Sequence, residues 1–414
     1  QKTIVLLASF LIAVAIGVLT TLQFPRSKDT LDYAGVQSWP VYILRITLSN
    51  WLRKAADALV PPANLLLSRA FDLNQLIAIY CCGKVGWPDV LGKGAQTGRV
   101  LAAHANMSKV MTRRLLRACV VADIFQEVRG APEDVDDDER RYVITAMGDA
   151  LRDAHPYSMK HLIELHVEET GPGAMQFWKA IRDDSALPFS LAHNISQTKH
   201  GFHEFWNRNP EKAALFHKGM VSIDALGTGA LVHDYSWGAR CSTVIDVGGG
   251  RGPFLAHLLR KYPNLRGTLF EVPSIIDEAE PYWAEEHREL LDRVSFARGD
   301  FFDAATIPRG ERGVTCYMLK ITLHEWEDGS VEAILRNVAG RMAAEDRLLV
   351  VEIVQVVPEF LRDRPLWDLI MRIFGGRERT VADYRRLFAA AGLAVKKAHP
   401  TRSLFTIVEG TRAR

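Results

Sequence analysis

The sequence stretch YMLKITLHEWED, residues 317–328, begins as an apolar run and ends in a charged cluster around His324. An imidazole with an ordinary pKa of about 6.5 is largely neutral near pH ~7 and can accept a proton. His324 is therefore a candidate general base for proton abstraction. The alternative is a histidine that simply lies where a strand meets a loop, and the residue type alone does not decide between the two.

A glycine-rich loop follows the apolar run that contains Asp246. The loop reads D-x-G-x-G-x-G, and glycines in such a loop allow the backbone to pass close to a ligand at the start of a helix. The dinucleotide fingerprint is spaced G-x-G-x-x-G instead, so this spacing argues against a nicotinamide oxidoreductase. The glycines that define the pattern are Gly248, Gly250 and Gly252.

Two further acids follow the next apolar runs along the chain, since Glu271 ends GTLFE and Asp300 lies in RGDFF. A carboxylate at Glu271 can accept hydrogen bonds from both hydroxyls of a ribose. Asp300 can accept from an adenine amino group while Phe301 covers the ring. An acid at Asp246 would repel a diphosphate but suits a ligand with a positive charge. The set predicts S-adenosylmethionine as the cofactor; the alternative is three ordinary loop acids.

These candidate residues must be positioned by residues 226–414, where apolar runs alternate with helical patterns. Such alternation predicts an α/β domain with a Rossmann-like, doubly wound and mostly parallel sheet, whose ligand lies beyond the carboxyl ends of the strands. Thr380 and Asp383 form a candidate capping box at the start of a late helix, and Gly392 follows its end.

Residues 28–225 show helical spacing without a run of strands, apart from one candidate strand at residues 140–144. We therefore predict an all-helical, winged-helix-like domain. Its acidic stretch at residues 132–141 would repel a phosphate backbone, and the chain has 51 basic against 49 acidic residues. Dimerisation or a scaffold role is therefore favoured over binding of nucleic acid.

Residues 3–22 contain twenty residues without a charge, enough for about 30 Å of helix, the thickness of the hydrocarbon core of a bilayer. We predict that residues 1–27 form a transmembrane anchor, with a cleaved signal peptide and a buried helix as alternatives. Lys2 precedes the apolar run, whereas Arg26 and Lys28 follow it. The main domain is therefore expected on the positive-inside face of a membrane that the sequence does not identify.

The cysteines are scattered and show no spacing typical of a metal site, so no metal is predicted. Their odd number suits a reducing compartment better than a disulfide scaffold. The five cysteines are Cys81, Cys82, Cys119, Cys241 and Cys316.

The run VIDVGGGRGPFLAHLLRKYPNLRGTLFEVPSII, residues 244–276, resembles the methyl-donor site of the plant-type and acetylserotonin-type small-molecule O-methyltransferases. The likeness continues through GDFF, LKITLHEWED and GGRERT, and more loosely through FWNRNPEKAALFHKGM, and it covers roughly residues 60–412. The resemblance implies a seven-stranded methyltransferase domain whose last strand is antiparallel. It also implies an N-terminal helical dimerisation domain, and hence a homodimer.

The resemblance further implies that His324 is the general base and that Glu352 and Glu378 orient it. A carboxylate on an imidazole N–H selects the tautomer and stabilises the imidazolium. This sequence departs from the family pattern at Glu325, where the family has an aspartate after the histidine. The alternatives are a solvated acid at a strand end for Glu352 and an ordinary acid at a helix start for Glu378.

The same resemblance places Lys320 on the donor side of the site and Met220 over the donor and the acceptor. The alternatives are a lysine at the sheet edge that extends into water and a methionine that fills the core. Trp326, Trp367 and Asp368 are candidates for the acceptor side, where an aromatic wall suits a flat phenolic or indolic substrate.

Phenols are weak nucleophiles at neutral pH, so a base near the hydroxyl and alignment of the two substrates are what methyl transfer to oxygen requires. We predict a membrane-tethered, S-adenosylmethionine-dependent O-methyltransferase that acts on a hydroxyl of a small aromatic or lipophilic acceptor. The alternative is a catalytically silent methyltransferase-fold subunit with an architectural role in a membrane protein assembly.

Overall fold

The computed structural model describes residues 38–128, 136–197, 201–310, 313–355 and 364–413. The predicted membrane anchor at residues 1–27 lies outside these described residues. A helical region is followed by an α/β region with a seven-stranded sheet. The predicted α/β class, with a helical region before the sheet, is thereby confirmed.

The helical region consists mainly of helices, with a small antiparallel sheet among them and one π-helical turn at His166–Thr170. The helices are α1 (Trp39–Ala58), α2 (Pro62–Lys84), α3 (Trp87–Leu91), α4 (Gly98–His104), α5 (Lys109–Val121), α6 (Ala146–Asp149), α7 (Lys160–Leu165), α8 (Gly171–Ala174), α9 (Phe177–Ala180), α10 (Pro188–His193), α11 (Gly201–Arg208) and α12 (Pro210–Asp234). The strands are β1 (Gln96–Thr97), β2 (Phe125–Glu127) and β3 (Arg141–Ile144), in the order β1-β3-β2.

The prediction of an all-helical region is wrong at this small sheet. The strand predicted at residues 140–144 is β3, but its two partners were not predicted. Strands of two to four residues are too short to show the apolar alternation by which a strand is recognised.

Helix α12 joins the helical region to the sheet and runs without a break from Pro210 to Asp234. The predicted domain boundary between residues 225 and 226 therefore lies inside a helix. A Cβ atom on Gly227 would lie 2.2 Å from Cε2 of Phe405, which directly precedes the last strand. Glycine at this position allows the helix to pack closely against the α/β region.

The large sheet has the strand order β6-β5-β4-β7-β8-β10-β9, with β10 antiparallel to both of its neighbours and the other pairs parallel. The predicted seven-stranded sheet with an antiparallel last strand is thus confirmed. Its strands are β4 (Thr243–Val247), β5 (Arg266–Glu271), β6 (Val294–Arg298), β7 (Thr315–Lys320), β8 (Arg347–Glu352), β9 (Leu393–Pro400) and β10 (Thr406–Arg412). The helices around it are α13 (Trp237–Arg240), α14 (Pro253–Lys261), α15 (Pro273–Glu286), α16 (Asp328–Arg341), α17 (Arg364–Phe374) and α18 (Val381–Ala390).

The central strands are buried almost throughout, as parallel strands covered by helices on both faces are. Their carboxyl ends meet at one edge, so that edge collects the polar residues that follow each apolar run. The capping box of Thr380 and Asp383 is present at the start of α18, and Gly392 adopts a φ of 73° after its end.

A disulfide bond joins Cys241 to Cys316 within the core of the α/β region. Cys241 lies just before β4 and Cys316 lies on β7, the neighbouring strand, although 75 residues separate them along the chain. The scattered cysteine spacing did not indicate this pair, because only the strand order brings the two residues together. The remaining cysteines, Cys81, Cys82 and Cys119, are free.

Helix α2 is, within the described residues, the one helix long and apolar enough to cross a membrane by length and composition. It packs against α5 and α7, so a place in the helical region accounts for it equally well. Its outward side chains include Leu66 and Phe71, which are 72% and 52% exposed.

Candidate active site

The glycine loop between β4 and α14 exposes its backbone at the edge of the sheet. A Cβ atom on Gly249 would lie 2.5 Å from Cγ of Asp246, whereas a Cβ on Gly250 would meet nothing within 4 Å. The loop is therefore pressed against the strand on one side and open on the other. The predicted glycines Gly248, Gly250 and Gly252 have φ values of 71°, 57° and 78°, a region that favours glycine.

Asp246 lies near the carboxyl end of β4 and is 2% exposed. Its Oδ1 accepts no hydrogen bond from any residue that the structure describes. Burial raises the pKa of Asp246 to about 7, with Lys320 lowering it and Glu271 and Asp224 raising it. A buried oxygen without a donor costs free energy. A cationic group with N–H donors, such as the ammonium of S-adenosylmethionine, fits this place.

Glu271 ends β5 and fixes the glycine loop. Its Oε1 accepts from the Gly250 N–H at 3.3 Å, and its Oε2 accepts from the Val272 N–H at 2.7 Å. Burial raises the pKa of Glu271, although these two backbone donors lower it. Each carboxylate oxygen retains a lone pair for a ribose hydroxyl. The predicted ribose contact therefore stays a prediction that the geometry allows.

Asp300 and Phe301 lie beyond β6, on the other side of the glycine loop. Oδ1 of Asp300 accepts from the Phe302 N–H at 2.8 Å, and the residue is otherwise exposed. A Cβ on Gly248 would lie 3.5 Å from Cε1 of Phe301, so the ring lies beside the loop. Trp326 packs edge-on against Phe301 and Phe302, with ring centroids 5.9 and 4.9 Å away. The structure thus places Trp326 against Phe301, the ring predicted for the donor side, whereas the sequence assigned Trp326 to the acceptor side.

The turn that carries His324 follows β7 and is held in an unusual backbone conformation. Ile321 has a φ of 52°, a region that β-branched residues rarely adopt and that costs about 1–3 kcal/mol. Oε1 of Glu352, at the end of β8, accepts from the Thr322 N–H at 3.0 Å and from the Leu323 N–H at 2.8 Å. The fully buried Glu352 carboxylate therefore fixes the turn as well as facing the histidine.

His324 is buried between two carboxylates. Its Nδ1 lies 3.1 Å from Oε1 of Glu378 and 3.5 Å from Oε2 of Glu352. Burial lowers the pKa of His324. The charges of Glu352 and Glu378, with a smaller contribution from Glu325, outweigh this effect and raise the pKa to about 9. With Nδ1 donating to Glu378, Nε2 is the ring nitrogen that can take up a proton.

The structure thus brings together the three residues predicted as catalytic. The nitrogen of His324 and the carboxylate oxygens of Glu352 and Glu378 all lie within 4.8 Å of one another, a spacing that would also suit a metal ion. Burial raises the pKa of Glu352, although His324 lowers it. Burial and the charge of Glu271 raise the pKa of Glu325, while His324 lowers it.

Arg379 is a site residue that sequence reasoning missed. It lies in GGRERT, directly after Glu378, and its side chain is wholly buried. Its Nη1 donates to the Leu323 carbonyl at 2.7 Å and its Nη2 to the Trp326 carbonyl at 2.5 Å, one on each side of the His324 turn. The available signal was an arginine directly before the capping box.

The other residues predicted for the acceptor side, Met220, Trp367 and Asp368, lie on α12 and α17. Oδ1 of Asp368 accepts from the Glu378 N–H at 2.7 Å, so this acid positions the carboxylate next to the histidine. Trp367 and Met220 are partly buried and pack against the same core. Phe374, at the end of α17, meets aromatic side chains from the helical region. These are Phe189, Phe202 and Trp206, with ring centroids 5.1, 6.0 and 6.4 Å from that of Phe374.

Lys320 ends β7, the strand next to β4, and its predicted role on the donor side stays a prediction. Its ammonium is paired with Asp224 on α12, a residue that sequence reasoning did not single out. The sequence did not indicate this ion pair, because 96 residues separate Asp224 from Lys320 along the chain.

The pKa of His324 can be followed without an acceptor substrate, by titrating histidine-labelled protein in NMR and assigning the resonance with His324→Gln. We expect an apparent pKa of about 9, and a lower value in Glu378→Gln because one of the two carboxylates is then neutral. The pKa of His324 in the folded protein lies above the unfolded value of about 6.5. The interaction of protonated His324 with Glu352 and Glu378 therefore stabilises the fold fully below pH ~6.5, and this stabilisation is lost as the pH rises through about 9. An unchanged pKa in Glu378→Gln would contradict the assignment.

A family model described as an O-methyltransferase domain matches residues 176–394, more than half of the chain. The 8-amino-8-demethylriboflavin N,N-dimethyltransferase of Streptomyces davaonensis is 30% identical over 345 residues, which cover 82% of this chain and 92% of that protein. The mitomycin biosynthesis 6-O-methyltransferase of Streptomyces lavendulae is 29% identical over 342 residues, covering 78% and 86%.

Among solved structures, an O-methyltransferase from neocarzinostatin biosynthesis matches with a TM-score of 0.64 and 28% identity, covering 81% of this chain and 95% of that one. That structure holds S-adenosylmethionine and 2-hydroxy-5-methyl naphthoic acid. The match includes both the helical region and the α/β region, so the two parts described above form a known combination.

Proposed function

The chain belongs to the O-methyltransferase family, and from that premise we propose that it transfers the methyl group of S-adenosylmethionine to a hydroxyl of a small, flat, aromatic acceptor. The observation that carries the proposal is the buried His324, whose Nδ1 lies 3.1 Å from Glu378 at the same sheet edge as the glycine loop. The candidate base and the glycine loop thus follow neighbouring strands, β7 and β4.

When bound, S-adenosylmethionine supplies an electrophilic methyl carbon and leaves as the neutral thioether S-adenosylhomocysteine. Nε2 of His324 takes up the proton of the acceptor hydroxyl while the oxygen becomes methylated. Glu378 on Nδ1 holds the tautomer and stabilises the imidazolium, as the acid of a catalytic triad does. Glu352 keeps the turn in place through its two backbone hydrogen bonds.

A flat acceptor is supported by the aromatic side chains next to α17 and by the naphthoic acid in the related structure. One relative is named as a methyltransferase of nitrogen, so an amine is the second candidate for the acceptor group. A neutral amine has a nucleophilic lone pair and needs no base before it attacks, whereas a hydroxyl does. A hydroxyl is therefore favoured, because this site holds the buried candidate base His324.

The test has two steps on the same purified protein. S-adenosylhomocysteine is titrated by calorimetry, and hydroxynaphthoates and aminonaphthoates are then compared for methylation. We expect saturable binding and methylation of hydroxyl groups. No binding of S-adenosylhomocysteine at millimolar concentration would refute the proposal and favour the alternative of a catalytically silent subunit. Methylation of amines alone would refute the assignment of a hydroxyl acceptor.

The proposal includes attachment to a membrane through residues 1–27, with the catalytic region on the positive-inside face. It is supported by the uncharged run at residues 3–22, whose length matches a bilayer core. Deletion of residues 1–27 should release the protein from membranes and leave the affinity for S-adenosylhomocysteine unchanged. A truncated protein that still sediments with membranes would refute this attachment.

The proposal also includes a homodimer formed by the helical region. Leu66, Leu67 and Phe71 on α2 and Val121 on α5 are between 52% and 74% exposed, an unusual density of exposed apolar side chains. The double variant Leu67→Glu/Phe71→Glu of the truncated protein should sediment as a monomer when the parent sediments as a dimer. A monomeric parent would refute the homodimer.

A further inference from the structure

We propose that helix α1 lies flat on the surface of the membrane to which residues 1–27 attach the chain, with its outward apolar side chains among anionic lipids. This inference rests on the attachment proposed above and adds a second lipid contact to it. The side chains that make this contact are called the outer stripe, and they are Leu44, Trp51, Leu52 and Leu59.

The outer stripe is a row of large apolar side chains in contact with solvent. No residue of α1 is buried, although the helix is 20 residues long. Trp51 and Leu52 follow Leu44 by seven and eight residues, a spacing that places all three on one face of a helix. The exposed fractions of Leu44, Trp51, Leu52 and Leu59 are 57%, 63%, 39% and 87%. A helix face of this kind requires a partner beyond the part of the chain that the structure describes.

Contacts at both ends of α1 turn the outer stripe away from the protein. At the start of the helix, the guanidinium of Arg402 lies 5.9 Å from the ring centroid of Trp39. Near its end, Asp57 pairs with Arg69 on α2 at 3.1 Å. Trp39 and Asp57 are about five full turns apart and therefore share one face of the helix. The outer stripe lies on the opposite face.

The charges of α1 favour a lipid surface over a second copy of the chain. The helix carries three basic residues, Arg45, Arg53 and Lys54, against the single acid Asp57, which is paired with Arg69. Arg53 and Lys54 are exposed directly after Trp51 and Leu52. Tryptophan and basic side chains beside an apolar stripe suit the headgroup region of an anionic bilayer. Two copies of α1 would instead bring like charges together.

The position of α1 along the chain also favours a membrane. The uncharged run ends at residue 22 and α1 begins at Trp39. Residues 23–38 reach at most roughly 55 Å when fully extended, so the helix starts near the point where the run would leave the bilayer. The helix also precedes residues 60–412, the stretch that resembles the O-methyltransferases, so the family fold does not account for it.

The outer stripe is too short to hold the protein on a membrane alone. A single weak signal gives reversible binding, and stable attachment takes two. Residues 1–27 would keep α1 close to the lipids and so raise its effective concentration there. The release expected on deletion of residues 1–27 agrees with this division of roles.

The test uses the full chain in vesicles of equal parts phosphatidylcholine and phosphatidylglycerol, the former brominated near the top of its acyl chains to quench tryptophan fluorescence. Residues 1–27 contain no tryptophan, so quenching reports on other parts of the chain. We expect the parent to be quenched and Trp51→Phe to lose most of that quenching. Trp178→Phe is the matched control, because Trp178 is 76% exposed on α9, and it should be quenched like the parent.

A second variant tests the charges. Arg53→Gln/Lys54→Gln should be quenched less than the parent, and vesicles of phosphatidylcholine alone should reduce the quenching of the parent in the same way. Equal quenching of the parent and Trp51→Phe, in chains that float with the vesicles, would overturn the inference. So would a parent that floats without quenching and can be cross-linked to a second copy through α1. A full chain that does not float with the vesicles would refute the proposed attachment itself.

Discussion

Replacing His324 with glutamine is expected to lower kcat by roughly 100- to 10,000-fold, the usual contribution of a positioned general base. The amide can keep a hydrogen bond to Glu378, at the place where Nδ1 now lies 3.1 Å from that carboxylate. It cannot take up a proton from the acceptor, so the loss falls on the chemical step. The measurement is single-turnover methylation near pH ~9, where the histidine of the parent protein is half deprotonated.

Two comparisons separate loss of the base from loss of the fold. The affinity of His324→Gln for S-adenosylhomocysteine should equal that of the parent, because the carboxylates that His324 faces are Glu352 and Glu378, whereas Glu271 holds the glycine loop. His287→Gln is the matched control, since His287 is also 7% exposed but lies beside Arg260, at the end of α15. It should retain parental kcat. Activity of His324→Gln within threefold of the parent would show that the acceptor loses its proton by another route.

The part of the site that could be predicted from the sequence is the part made of local patterns. Asp246 and Glu271 each lie at or next to the end of an apolar run, and in a parallel sheet the ends of successive strands must share an edge. The glycine loop is a local pattern as well, because three positive φ angles require glycine at those positions. Strand order and the antiparallel last strand followed from the resemblance rather than from periodicity.

The residues that were missed act across large separations along the chain. Asp224 is one of several polar residues on α12, and nothing near it in the sequence identifies Lys320 as its partner. The disulfide between Cys241 and Cys316 depends on β4 and β7 being neighbours. The left-handed conformation of Ile321 contradicts the ordinary preference of a β-branched residue, so only the surrounding structure can impose it.

Replacing Arg379 with methionine is expected to lower the free energy of unfolding by about 2–5 kcal/mol, because one buried and one partly buried carbonyl lose their donors and Asp328 loses a buried partner. These are the carbonyls of Leu323 and Trp326, on either side of His324. The guanidinium also donates to Oδ1 of Asp328 from Nε at 3.1 Å and from Nη2 at 2.9 Å. Methionine fills a similar volume, so the loss reports the hydrogen bonds rather than a cavity. Urea unfolding followed by fluorescence gives the measurement.

Arg386→Met is the matched control, because Arg386 pairs with the same Asp328 at 2.6 Å while its side chain is 53% exposed. An exposed ion pair contributes about 0–1 kcal/mol, so this variant should unfold close to the parent. Arg379→Lys should restore little, since an ammonium cannot place donors on both carbonyls and on the carboxylate at once.

A second readout shows whether Arg379 positions the base or merely stabilises the fold. In conditions where Arg379→Met is fully folded, kcat should still fall by at least about tenfold, because misplacing a reacting group by about 1 Å is enough for such a loss. The affinity for S-adenosylhomocysteine should be unchanged, because none of the hydrogen bonds of Arg379 reaches the glycine loop. If kcat instead falls only in proportion to the unfolded fraction, Arg379 acts through stability alone and the His324 turn keeps its geometry without it.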